Sequence, residues 1–433
     1  MMLQTRDMRH IWHPCTQMKD HETIPLLEVT SASGCYLHLS DGRKIIDAVS
    51  SWWCKSLGHQ HPRIKQAVQE QLEKFEHVIF AGTTNEVIVR LSELLAQLMP
   101  PLDKVLYAGD GSCAVEMALK LSLHAQHLRG EHQRTKFISL QNAYHGETAG
   151  AMSVSDLGIY RAHYQSILFD VVNIPVPYVK DLYDPLWDDC SLYWGRVESI
   201  LNAAAEKTAA IIVEPIMQGA AGMRMYSKDF LKQLRQWTEK NKIYLIADEI
   251  MTGMCRTGKM LACEHAEIIP DFLCLSKGLT SGWLPLSVTL TRQEIYDLCY
   301  DDYAAGKSFL HSHTYSGNVL AASAAVAVIN IMRDDDIANR ANILGEKMRT
   351  MMNDIANETG LLRDVRGMGA IAAADVISNR ERPGIAVYEA AIKRGALLRP
   401  LGDTLYWLPP LIMSDVELSL LTEITRDALI TLI

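Results

Sequence analysis

Three short apolar runs each stop on an ionisable residue, and this pattern constrains the fold more than any other feature. Ala209-Ala210-Ile211-Ile212-Val213 runs into Glu214-Pro215, Ile243-Tyr244-Leu245-Ile246-Ala247 into Asp248-Glu249, and Phe272-Leu273-Cys274-Leu275-Ser276 into Lys277-Gly278. Continuous apolar runs of this length read as strands buried on both faces of a parallel sheet. The carboxyl ends of such strands open onto the crevice where open α/β sheets bind ligands. Three core strands therefore deliver two carboxylates and an amine to one rim.

The rest of the chain fits around that sheet. From about Lys104 to Leu290 apolar runs alternate with helical patterns, which predicts an α/β architecture with a mostly parallel sheet wrapped by helices. Ahead of it, extended stretches at Leu26–Val29 and Cys35–Leu39, a turn at Asp41-Gly42 and a run from Lys44 to Val49 predict a small antiparallel sheet. Pro62 opens an amphipathic helix with Ile64, Val68, Leu72 and Phe75 on one stripe, and a second helix from about Asn85 to Leu98 carries Val87, Leu91 and Leu95. After Gly317 an Ala-rich helix runs to about Arg333, and another spans about Ala338 to Glu358. The tail alternates strands near Ile371–Val376, Ala396–Arg399 and Thr404–Leu408 with helices from Ile385 to Arg394 and from Val416. The expected organisation is a large domain at 56–325 and a small α+β domain assembled from 1–55 and 326–433.

Composition narrows the function. A net charge of -9 without a basic stretch argues against a general nucleic-acid binder. No run reaches the length of a membrane-spanning helix, and the polar start through His13 lacks the apolar stretch of a signal peptide. The nine cysteines are scattered with no C-x-x-C pair, which predicts reduced thiols in a cytoplasmic protein rather than a disulfide framework or a zinc site. His59 and His61 precede a proline-initiated helix with no carboxylate near them in sequence, so no metal site is expected there.

Further chemistry gathers at other strand ends. Val105-Leu106-Tyr107-Ala108 leads into Gly109-Asp110-Gly111-Ser112 and then a helix, a loop whose free N–H groups and dipole suit an anion, or equally a plain Asp/Ser cap. The spacing matches neither a P-loop nor the dinucleotide fingerprint. The strand Lys136 to Leu140 ends near Tyr144, where an aromatic ring suits one wall of a slot for a flat ligand, although packing alone also explains it. An anion cradle, an aromatic wall, a carboxylate and a lysine together match pyridoxal 5'-phosphate: the lysine holds its aldehyde, and the carboxylate keeps the ring nitrogen protonated.

As an ordered set, the landmarks Ile212-Val213-Glu214-Pro215 with Gly219, Ala247-Asp248-Glu249 with Gly253 and Arg256-Thr257-Gly258, Ser276-Lys277-Gly278, and Thr314-Tyr315-Ser316-Gly317-Asn318 resemble the class III aminotransferases of fold type I over almost the whole chain. Arg9 to Pro14, Ser50-Ser51-Trp52-Trp53, Gln218 to Tyr226, Ala262 to Ala266 and Arg399-Pro400-Leu401-Gly402 with Tyr406 are similar to the biotin-pathway branch, which pairs S-adenosylmethionine with 8-amino-7-oxononanoate. The resemblance implies that Lys277 holds the cofactor and moves protons, that Asp248 pairs with the ring nitrogen and that Glu214 supports it. It implies that Gly111 and Ser112 bind the phosphate, with Thr314 arriving from the other subunit of a homodimer and His313 beside it, at a position where proline is frequent. Tyr144 then stacks on the ring and lines the substrate site with Trp52, Ser312 lies on the access loop, and Arg399 meets a substrate carboxylate. A guanidinium grips a carboxylate bidentately, which supports the last assignment independently. Two departures stand out: Cys15 replaces a tyrosine usual in the family, and Asp110 sets a carboxylate near the phosphate unless it turns away to cap the next helix. The alternatives are another class III transaminase using lysine, ornithine, 4-aminobutyrate or a polyamine, and a DNA-binding regulator on the same fold, for which this acidic chain offers no basic module.

Overall fold

The computed structural model describes residues 3–433. In chain order the first three strands, β1 (Val29–Ser33), β2 (Tyr36–Leu39) and β3 (Lys44–Asp47), form an antiparallel meander. Then come β4 (Lys104–Ala108), β5 (Lys136–Leu140), β6 (Val171–Ile174), β7 (Tyr178–Val179), β8 (Thr208–Val213), β9 (Met217–Gln218), β10 (Arg224–Tyr226), β11 (Tyr244–Asp248), β12 (Phe272–Leu275) and β13 (Ser287–Thr291). The tail adds β14 (Leu362–Arg366), β15 (Ala372–Val376), β16 (Ala396–Leu397) and β17 (Thr404–Trp407).

A seven-stranded sheet in the order β4-β13-β12-β11-β8-β5-β6 forms the centre. Every residue of β8, β11 and β12 is buried, which is why their sequences read as unbroken apolar runs. Their side chains alternate between two cores: Ile211, Leu245 and Leu273 face one, and Ile212, Ile246 and Phe272 the other. The helix Gly111–Leu128 covers the second face with Ala114, Val115 and Ala118. The helix Val319–Asp334 packs across Pro62–Leu72 and Glu86–Ala96 on the other face.

The sheet is mostly parallel, as expected: β13 alone runs against the rest, antiparallel to both β12 and β4. Since β13 is flanked on both sides in this way, β4 and β12 still point the same way, and the rim survives. The predicted strand at Leu26–Val29 lies further on: β1 is a polar, largely exposed edge strand held by backbone pairing, so it carries no hydrophobic alternation to read. In the first amphipathic helix Ile64 is buried, but Leu72 is 54% exposed and Phe75 lies beyond the last turn. Sequence patterning also missed β14 and the helix Leu3–His10, none of whose residues is buried.

The chain's two ends meet in one sheet: β16 pairs in parallel with β3, Ala396 beside Ile46, to give the order β1-β2-β3-β16. This pairing carries Asp47 and the Ser50–Trp53 turn, from the N-terminal segment, alongside the start of the stretch that leads to Arg399.

Candidate active site

Strand register assembles the site. β8, β11 and β12 are parallel neighbours, with Val213 beside Ala247 and Asp248 beside Cys274. Glu214 and Asp248 therefore leave the sheet at one level, and Lys277 follows at the same edge, three residues beyond Cys274. The loops after β4 and β5 bring Gly111, Ser112, Tyr144 and His145 to the same edge, and together they line a cavity of about 600 Å³. Trp52, Trp53 and Cys15 also line it.

Lys277 turns into this cavity from a left-handed backbone, φ 41. Among the described residues no carboxylate stands within ion-pair reach of its amine, whose Nζ lies 4.7 Å from the centre of the Trp53 ring. Burial lowers its pKa from the ordinary lysine value, and the more distant charges of Asp248 and Glu214 only partly offset this. An amine kept away from counter-ions and water holds a larger neutral, nucleophilic fraction near neutral pH.

The two carboxylates differ in surroundings. Asp248 Oδ2 lies 2.7 Å from His145 Nδ1, and Oδ1 accepts the Ile250 N–H at 3.1 Å. His145 is buried, and its Nε2 has no partner among the described residues. Glu214 accepts the N–H groups of Tyr144 and Gly219, both at 3.0 Å. Burial pushes the Glu214 carboxyl up to about 7, with the nearby Asp248 charge adding to the shift and His145 opposing it. Glu214 thus fixes the loop that carries Tyr144 rather than touching Asp248 directly. Tyr144 donates through its hydroxyl to Glu147 at 3.0 Å.

At the start of the helix Gly111–Leu128, Asp110 is the cap, its Oδ1 accepting the Cys113 N–H at 3.1 Å. The carboxylate has turned to its own helix, leaving the Gly111 and Ser112 N–H groups without intrahelical acceptors. The cradle is tight around its glycines. A Cβ on Gly111 would lie 2.9 Å from Ile250 Cδ1, and one on Gly146, at φ 126, would lie 2.1 Å from Ser112 Oγ.

Arg399 sits at the mouth, its guanidinium 4.9 Å from the centre of the Trp52 ring and donating to the Cys15 carbonyl at 2.8 Å. Cys15 thus contributes its backbone here, while its thiol points at Glu147 at 3.6 Å. Ser312, His313 and Thr314 lie outside this cavity on an extended loop, where the Thr314 carbonyl accepts from His77 Nε2 at 3.0 Å and His313 Nε2 lies 3.0 Å from His311 Nε2. Sequence reasoning missed His145, Trp53 and Glu147. His145 had a signal, being the neighbour of Tyr144 at a strand end, but only three-dimensional geometry pairs it with Asp248.

This donor set fits a phosphorylated aromatic aldehyde: an uncompensated, half-buried amine, a buried carboxylate and an amide cradle around one cavity. Residues 17–429 match the family model for class III aminotransferases. The chain is 40% identical to the adenosylmethionine-8-amino-7-oxononanoate aminotransferase of Helicobacter pylori over 96% of this chain and 94% of the relative. It is 35% identical to the enzyme of that name from Aquifex aeolicus, over 99% and 97% of the two chains. The crystal structure of the enzyme of that name from Methanocaldococcus jannaschii superposes with a TM-score of 0.92 at 32% identity, covering 99% of each chain. An omega transaminase from Pseudomonas jessenii in complex with PMP superposes with a TM-score of 0.91 at 25% identity, over 100% of this chain and 98% of the other.

Proposed function

Because the chain belongs to the class III aminotransferases, we propose that it moves the amino group of S-adenosylmethionine onto the ketone of 8-amino-7-oxononanoate, the step of biotin biosynthesis that gives 7,8-diaminononanoate. The enzyme is a pyridoxal 5'-phosphate-dependent transaminase of fold type I. Near-full-length identity to relatives of that name carries the substrate reading. When bound, the cofactor supplies a reactive aldehyde and a ring that withdraws electrons from the substrate carbon.

The residues divide the remaining work. Lys277 would hold the cofactor and, once released, take a proton from the donor's α-carbon and later return one, as a positioned general base and acid. Asp248, oriented by His145, would face the ring nitrogen and keep its proton in place. The Gly111 and Ser112 amides would take the phosphate at the helix N-terminus. Tyr144 would wall the ring, tied down through Glu214, and Trp52 and Trp53 would exclude water from the reacting carbon. Arg399 would anchor the carboxylate of the keto acid at the mouth.

A homodimer belongs to the same reading. The loop that carries Ser312, His313 and Thr314 stands outside its own cavity and exposes Leu310 and Tyr315. Thr314 would complete the partner's phosphate site with His313 beside it, and Ser312 would line the partner's access path. All nine cysteines are free thiols and no described helix is long and apolar enough to cross a membrane, which agrees with a cytoplasmic enzyme.

Cys15 favours a second reading, in which another amine such as lysine, ornithine, 4-aminobutyrate or a polyamine is the donor. A half-reaction separates the two. The yellow, cofactor-loaded protein is mixed with each donor alone, and loss of the yellow absorbance is followed. S-adenosylmethionine is expected to bleach the protein, and later addition of the keto acid to restore the colour and release 7,8-diaminononanoate. Bleaching by another amine but not by S-adenosylmethionine overturns the assignment.

A further inference from the structure

Asp47 ends β3 with no exposed surface, and its carboxylate accepts three hydrogen bonds. The Ser51 N–H reaches Oδ1 at 2.8 Å, and the Ser51 hydroxyl and His59 Nε2 reach Oδ2, each at 2.9 Å. His59 is itself fixed, since its backbone exchanges hydrogen bonds with Gly34 at 2.8 and 3.0 Å. A buried carboxylate is tolerated only when its oxygens are satisfied, and here two of the three donors come from the very turn that follows.

That turn is unusual. Ser50, Ser51 and Trp53 have φ of 50, 60 and 65, a region that residues with side chains rarely adopt. Such conformations persist where the surroundings over-determine them. Three clamps do so here: the Asp47 carboxylate, a bond from Ser50 Oγ to the Leu408 carbonyl at 2.8 Å, and a bond from Trp53 Nε1 to the Tyr406 hydroxyl at 3.0 Å. The result is that adjacent tryptophans serve one cavity with different tasks: Trp53 covers the Lys277 amine and Trp52 stacks on Arg399. A regular strand or helix would send these neighbours apart.

We propose that Asp47, locked by His59, is a positioning residue for substrate recognition, holding the Ser50–Trp53 turn so that Trp52 aligns Arg399 while Trp53 closes over Lys277. This rests on the reading of Arg399 as the carboxylate anchor. Neither Asp47 nor His59 lines the cavity. Asp47→Asn keeps the size of the side chain but puts an amide NH₂ in place of one oxygen, against the Ser51 N–H at Oδ1 or against the Ser51 hydroxyl and His59 Nε2 at Oδ2.

The test uses the cofactor-loaded, full-length protein. Asp47→Asn is expected to raise KM for the keto acid about tenfold while changing kcat by less than about threefold, the loss of one charged hydrogen bond. It should also alter the near-ultraviolet circular dichroism of the tryptophans, and that difference should vanish in a Trp52→Phe, Trp53→Phe background. His59→Gln, whose amide nitrogen can stand in for Nε2, should recover most of the KM lost in His59→Ala. If Asp47→Asn does not fold, Ser51→Ala removes one donor alone and should show the same pattern at about threefold. Unchanged KM and unchanged tryptophan signals in the folded variants overturn the proposal, as does a fall in kcat that matches a loss of folded protein with KM untouched. If the wild type ignores this keto acid, the substrate reading fails instead, and the dichroism cycle alone decides the role of Asp47.

Discussion

The two ends of β12 carry charge in opposite ways. At its start, Asp271 is paired: Arg235 donates at 2.6 Å, Arg292 stands at 3.5 Å, and the Leu245 N–H donates at 2.8 Å. At its end, Lys277 is half-buried at the cavity wall with no counter-ion in reach among the described residues, and its pKa is lowered by desolvation. The paired end is settled structure, because a buried charge with its partners satisfied has nothing left to react with. The unpaired end is reactive, because its amine is partly desolvated and has no counter-ion beside it. One strand four residues long thus separates a stabilising cluster from a chemical one.

The contrast can be broken by mutation, and the largest effect is expected at the unpaired end. Lys277→Ala should leave melting within a few degrees of wild type and reduce turnover about a thousandfold or more, the scale of a lost acid–base group. Steady-state rates with both substrates measure this, and residual activity well above that level would remove Lys277 from its role. At the paired end, Asp271→Asn should do the reverse. It removes the charge that Arg235 and Arg292 share, although Arg235 keeps Glu239 at 2.9 Å, and should cost about 2 kcal/mol in denaturant unfolding, with kcat in the remaining folded protein nearly unchanged.

Within the rim the effects should grade downward. Asp248→Asn should lower kcat on the order of a hundredfold, as for the loss of one preorganised electrostatic partner, with little loss of stability. Arg399→Ala should raise KM for the keto acid about thirtyfold and affect the amino donor much less, which two separate KM measurements would reveal. The smallest effect concerns Glu214, held up at about 7 by burial against an ordinary value of 4.5. Between those values the folded state binds a proton that the unfolded state has released, so stability falls as pH rises. Glu214→Gln should remove that slope, roughly 1 kcal/mol per pH unit between pH 5 and 6, as read from denaturation at several pH values.

The parts of this account that were legible in the sequence are those where burial is complete on both faces. β8, β11 and β12 announced themselves because their interiors are almost wholly apolar, and the ionisable residues that close or follow them announced the rim. Asp110 was legible for a similar reason, since an acid before a helix has a cap to make. The direction of β13 was not, because a buried antiparallel strand and a buried parallel one have the same composition. β1 escaped because an exposed edge strand is held by backbone pairing that leaves no trace in its side chains. His145 and Asp47 escaped for a third reason: their partners lie at positions 248 and 59, and which polar groups meet inside a fold depends on topology rather than local pattern. The family resemblance carried the Arg399 role, which no local pattern fixes.

A second half-buried amine makes the central claim sharply testable. Lys55 is also desolvated with a lowered pKa, but its Nζ donates to the Gly282 carbonyl at 2.8 Å. Reducing the cofactor-loaded protein with borohydride, digesting it and locating the pyridoxyl group by mass spectrometry asks which lysine reacts. The group should lie on the Lys277 peptide, at one per chain. A label on Lys55, or none at all, contradicts the account.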